Sequence, residues 1–157
     1  MATEARRLSA GIGGDPGSRS GSGADRAGQA PGRRGCRWPA EWEPHRATWL
    51  SWPHNPETWP DLLPAVEDAF CEIVRALVPG EAVEIHVADA AMATRAGARL
   101  AGAGIERLDL VRFHEVPTDD AWIRDHGGIF VLGPSGAEGP LELIDFEFDS
   151  WGGKYPP

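Results

Sequence analysis

The sequence predicts a mixed α/β fold, and three observations carry that expectation. Residues 61–78 place Leu62, Leu63, Val66, Phe70, Ile73, Val74 and Leu77 at spacings of three and four, the period of an amphipathic helix. Residues 82–87 instead alternate Val83, Ile85 and Val87 with other side chains, the period of a strand. Segments of the two kinds then follow in the order strand, helix, strand, helix, strand, strand, strand, which is the pattern of a layered α/β domain.

Each element has its own signals. The first 36 residues hold nine glycines, six arginines, three acids and no aromatic residue, so they bury too little apolar surface to offset their ordering entropy. A disordered tail over 1–36 is therefore expected, with order beginning near Arg37. Residues 47–52 (ATWLSW) form a short β-prone run between prolines, read as the first strand. The helix over 61–78 starts after Pro60 and stops before Pro79-Gly80; Pro64 falls in its first turn, where a missing N–H costs little. A second helix is expected over 90–103, ended by Gly102 and Gly104. Strands follow at 108–116, 129–132 and 141–148, with a polar loop at 117–128 and a Gly/Pro turn before the last strand. The final residues, SWGGKYPP, neither close a strand nor cap a helix.

Charge and cysteine usage exclude several function classes. The tail carries +3, while residues 37–157 hold nine bases against 21 acids and all seven tryptophans. A body at −12 with no basic stripe repels a polyanion, so nucleic acid is not an expected partner. Cys36 and Cys71 are too few for a disulfide scaffold and too far apart for a metal knuckle. No run approaches the roughly 18 apolar residues of a membrane helix, and the N-terminus lacks a secretory core. Glu4, Asp15 and Asp25 argue against an organelle transit peptide. The expectation is a cytoplasmic protein with no membrane partner and no metal.

The densest chemistry lies in the loop PTDDAWIRDHGG, 117–128. Asp119, Asp120 and Asp125 form an anionic cluster suited to a cation, and Trp122 offers it an aromatic face. A planar guanidinium fits a carboxylate through two parallel hydrogen bonds. The same residues also fit a structural role, with Asp119 capping the turn, Arg124 pairing with an acid and Trp122 in the core. A weaker signal is Trp151-Gly152-Gly153-Lys154, whose glycines permit positive φ and close approach of a ligand.

Four blocks together resemble one family. They are Trp38-Pro-Ala-Glu-Trp-Glu-Pro-His45, Thr48-Trp-Leu-Ser-Trp-Pro53, Thr118-Asp-Asp-Ala-Trp-Ile-Arg-Asp125 and Trp151-Gly-Gly-Lys-Tyr155. In this order they look like the N-terminal blocks of the agmatine deiminase family, which includes the bacterial peptidylarginine deiminases. The resemblance covers 37–157 and implies the first modules of a pentein, a five-module α/β propeller around a guanidine site. It implies hydrolysis of a guanidinium to a ureido group with release of ammonia, for example agmatine to N-carbamoylputrescine in putrescine biosynthesis. No cofactor is implied.

By the same resemblance Asp125 is the first guanidinium-binding carboxylate, Trp122 lies beside the substrate, and Trp151, Gly152 and Gly153 belong to the pocket wall. Asp120 and Arg124 support the loop. The second aspartate, the His-x-Asp element and the nucleophilic cysteine of the family have no counterpart among these residues, so an isolated chain is expected to be a truncated, inactive piece. Cys71 reads as a structural thiol inside the helix, and Cys36 as bordering the tail. His86 falls in a strand, and His126 adjoins Asp125. Two departures stand out: Gly127-Gly128 where the family has Gly-Pro, loosening the loop exit, and Asp149 where it has Asn. Agmatine and peptidyl arginine both remain open as the parent substrate, and a non-catalytic guanidine-binding module is the reading from a different class.

Overall fold

The computed structural model describes residues 30–135, 139, 141–146 and 148–154. Two compact units divide them. One runs Pro44–Arg124, and the other combines the segments up to Glu43 and from Asp125 onward.

The Pro44–Arg124 unit is a βαβαβ arrangement. Strand β1 (Ala47–Ser51), helix α1 (Leu63–Leu77), β2 (Ala82–Val87), helix α2 (Ala90–Gly102) and β3 (Val111–Glu115) follow in chain order, and the three strands form a parallel sheet in the order β1-β2-β3. One face of the sheet presents Leu50, Val83, Ile85, Val87, Val111 and Phe113 to the core, joined there by Val74 of α1 and Leu100 of α2. Val74, Val83, Ile85 and Leu100 are each 0% exposed. Their burial supplies the driving force, on the order of 1.5–3 kcal/mol for each large side chain.

The opposite face is polar. The register aligns Trp49, Glu84 and Arg112 in one row and Ser51, His86 and His114 in the next. Glu84, only 8% exposed, accepts from Arg112 Nη1 at 2.5 Å and from His114 Nε2 at 2.7 Å. The indole of Trp49 sits 5.1 Å from the His86 ring and 5.0 Å from the His114 ring. A buried carboxylate is tolerable here because both of its oxygens are bonded. Burial pushes the Glu84 carboxyl up, but the bonds from His114 and Arg112 outweigh it and hold the group below its usual range.

Apart from one-residue differences at element ends, the structure departs from the sequence reading at four places. Helix α1 begins at Leu63 rather than 61, because Asp61 takes a left-handed φ of 59° that a right-handed helix cannot include. The third strand starts at Val111, not 108: Leu108–Leu110 is a 3-10 turn, closed by Leu110 N–H donating to Arg107 O at 3.0 Å and flanked by a two-pronged Arg107–Asp109 pair. The last strand, expected over 141–148, is Leu141–Ile144, since its partner offers only the four residues Ile129–Leu132. The polar loop contains one helical turn, α3 (Ile123–His126).

The second unit is built on an antiparallel hairpin of β4 (Ile129–Leu132) and β5 (Leu141–Ile144). Arg37 pairs with Leu132 through two backbone bonds of 2.8 Å. Within the expected tail, Pro31–Arg34 forms a 3-10 turn closed by Gly35 at φ 77°, and Arg34 pairs with Glu142 of β5. The rest of the expected tail, 1–29, lies outside the described residues. The hairpin leaves Phe130 at 40%, Leu141 at 57% and Phe146 at 55% exposure. Among the described residues, no helix is long and apolar enough to cross a membrane.

Candidate functional site

The loop after β3 is held by the connection between β1 and α1. Asn55 Nδ2 donates to the Asp119 carbonyl at 3.3 Å, and Thr58 Oγ1 donates to Asp120 Oδ2. Asp120 Oδ1 also accepts from Ala121 N at 2.7 Å, so this carboxylate is used within its own loop. Trp122 follows directly, 42% exposed, with its ring centroid 5.5 Å from Trp59 at an interplanar angle of 35°. Such an offset, tilted pair is a favourable aromatic geometry. It leaves Trp122 partly in solvent, so the alternative of a core tryptophan does not describe it.

Asp125 and Arg124 sit on α3, and both are exposed. Asp125 makes no hydrogen bond or ion pair among the described residues, unlike Asp120 five residues earlier. An exposed carboxylate without an internal partner keeps both oxygens available for a bidentate donor. Next to it, His126 Nε2 is buried and lacks a hydrogen-bond partner among the described residues.

The 150–153 segment folds into a left-handed turn. Ser150, Trp151, Gly152 and Gly153 all take positive φ, at 54°, 55°, 81° and 73°. Left-handed backbone costs an L-residue roughly 1–2 kcal/mol, and here two of the four positions escape that cost by being glycine. Asp149 closes the turn: its Oδ1 accepts from Gly152 N at 2.9 Å and its carbonyl accepts from Gly153 N at 2.7 Å. Trp151, 46% exposed, meets Phe148 edge to face at 5.1 Å. The sequence pointed to these glycines for their freedom; it did not reveal the left-handed run of Ser150 and Trp151.

Cys71 is not poised as a nucleophile. Cys71 is 2% exposed on α1, and burial pushes its thiol up, away from the reactive thiolate. Cys36 is half-buried with Sγ 3.7 Å from Glu142 Oε1. His45 lies 2.6 Å from Glu81, and His54 Nδ1 donates to the Trp52 carbonyl at 3.0 Å. Among the described residues, no three His, Cys, Asp or Glu side chains converge as a metal site.

Residues 37–157 match the family described as Porphyromonas-type peptidyl-arginine deiminase. The chain belongs to this family. It is 37% identical over 123 residues to the agmatine deiminase of Ectopseudomonas mendocina, covering 78% of this chain and 31% of that protein. A solved structure assigned as an arginine deiminase from Porphyromonas gingivalis superposes with a TM-score of 0.56 at 31% identity, over 76% of this chain and 32% of the other. A cysteine-to-serine variant of C. jejuni agmatine deiminase with substrate bound superposes with a TM-score of 0.61 at 24% identity, over 77% of this chain and 32% of the other. The mixed α/β fold is thus shared with deiminases, and the chain spans about a third of the length of the relatives it matches.

Two departures from the family pattern have local reasons. A Cβ built on Gly128 would lie 2.5 Å from Leu143 Cδ1, so the glycine makes room for the Leu143 side chain of β5. Asp149 caps the left-handed turn through one carboxylate oxygen, an acceptor that the amide of Asn also offers.

Proposed function

We propose that this chain is the N-terminal part of a guanidine-hydrolysing enzyme of the agmatine deiminase type. The observation that carries the reading is the family match across 37–157, supported by relatives named as agmatine deiminases. In this reading the two units are opening modules of a five-module pentein propeller. Agmatine is the substrate, N-carbamoylputrescine and ammonia are the products, and the cytoplasm is the location. Peptidyl arginine is the second reading, favoured by the description of the family itself.

The chain's own residues supply binding rather than bond-breaking. Asp125 receives two guanidinium N–H groups and fixes the plane of the cation. Trp122 covers one side of the substrate, and Trp151, Gly152 and Gly153 line the wall. Asp120, spent on Thr58 and Ala121, and Arg124 hold the loop. A guanidinium is a poor electrophile, so its attack needs a thiolate held face-on and an imidazole to move protons. In this reading neither Cys71, buried within α1, nor Cys36, bordering the tail, is the nucleophile, so the 157 residues do not turn over by themselves.

Calorimetric titration with agmatine and with an arginine-containing peptide tests the binding half. Weak binding by the wild-type chain that Asp125→Asn removes is the expected outcome, and the tighter of the two ligands identifies the substrate class. Equal binding by both proteins refutes the role of Asp125. An assay for ammonia and ureido product tests the other half: turnover abolished by alkylating Cys71 would overturn the assignment of inactivity.

A further inference from the structure

Trp59 stands outside every role given so far. It lies in the connection between β1 and α1, its ring packs against Trp122 at 5.5 Å, and its indole N–H is buried without an acceptor among the described residues. A buried tryptophan ordinarily finds a partner for that N–H. The contact this side chain does make is aromatic, and the turn that carries it is tied to the same loop twice more, through Asn55 to Asp119 and Thr58 to Asp120. These ties all join one connection to one loop within the Pro44–Arg124 unit.

We propose that Trp59 is a positioning residue that fixes the ring of Trp122, so that the exposed face of Trp122 is presented in one orientation to a planar cation. The inference rests on the reading of Trp122 as a substrate wall and adds the device that holds it. One side of the Trp122 ring is occupied by Trp59, and its 42% exposure leaves surface for a guanidinium to stack. An immobilised ring loses less freedom when the ligand arrives, so the clamp appears as affinity.

The test uses the full chain labelled with 15N, reading the heteronuclear NOE of the Trp122 indole N–H, assigned by its loss in Trp122→Phe, together with agmatine titration. In Trp59→Ala the NOE falls toward that of a free side chain, and agmatine binds about tenfold more weakly. Trp59→Phe keeps an aromatic ring and deletes the unpaired N–H, so it retains both values to within about twofold. Thr58→Val, which loses the bond to Asp120, lowers the NOE in part. Should Trp59→Ala fail to fold, Thr58→Val and Trp59→Phe decide: an unchanged NOE in the first, or a collapsed one in the second, overturns the proposal. A lowered melting temperature in Trp59→Ala with the Trp122 NOE or the agmatine affinity unchanged overturns it too. If the wild-type chain binds no agmatine, the guanidine reading falls, and the NOE series alone decides whether Trp59 holds Trp122.

Discussion

The two units differ in how they use apolar side chains. The Pro44–Arg124 unit closes Val74, Val83, Ile85, Val87 and Leu100 into a core between sheet and helices. The other unit buries Val131 and Ile144 but leaves Phe130, Leu141, Phe146 and Trp151 substantially exposed. It also holds the left-handed turn and the exposed Asp125. Packing and the proposed binding residues are therefore distributed unequally: the first unit has a core to fold around, and the second combines a two-stranded hairpin with Asp125 and the 150–153 turn. Two strands are marginal by themselves and gain stability only by packing on something else.

The largest expected effect tests that asymmetry. Ile85→Ala, at the centre of the parallel sheet and 0% exposed, should destabilise the chain by about 2–5 kcal/mol in urea unfolding. Leu141→Ala, 57% exposed on β5, should stay within about 0.5 kcal/mol. Comparable losses at both sites would erase the distinction.

Just before the hairpin, Gly128 lies close against Leu143 of β5. Gly128→Ala should cost about 1–3 kcal/mol because the new methyl meets Leu143, and adding Leu143→Ala should recover part of it. Additive losses in the double variant would show that the two side chains do not compete for the same space. Smaller again is the cap of α2, where Asp89 Oδ1 accepts from Met92 N at 2.7 Å. Asp89→Ala should cost about 1 kcal/mol and Asp89→Asn a few tenths, read from thermal or urea midpoints.

Acid sharpens the comparison from the other side. The folded-state pKa of Glu84 lies below the ordinary 4.5, so its contribution is fully present above that value and is lost as pH falls through the lower folded-state value. Glu84→Gln should flatten that part of the stability profile. Asp125→Asn should change stability by less than about 0.5 kcal/mol, since among the described residues the carboxylate has no partner to lose. Its whole effect belongs in ligand binding.

Legibility in the sequence followed the range of the interaction. The helices and strands were readable because their periods repeat over a few residues: Val83, Ile85 and Val87 face the core as the alternation requires. Local sterics were readable less well, since nothing in an Asp-Leu-Leu-Pro string announces the left-handed φ of Asp61. The block from Asp119 to Asp125 stood out in the sequence by its composition, and the resemblance gave Asp120, Trp122, Arg124 and Asp125 expected roles. The clamp on that block was not, because Thr58 and Asp120 are 62 positions apart and only folding makes them neighbours.

By itself, then, the sequence determined the class of fold, the order of its elements and the family to which residues 37–157 belong. These depend on patterns within short windows of chain, where burial and backbone preference act locally. Tertiary structure alone decided that Glu84 is a buried, doubly bonded carboxylate, that Leu143 fills the space beside Gly128, and that Trp59 backs Trp122. Each of those is a contact between distant segments, and the free energy that selects it exists only once the segments have been brought together.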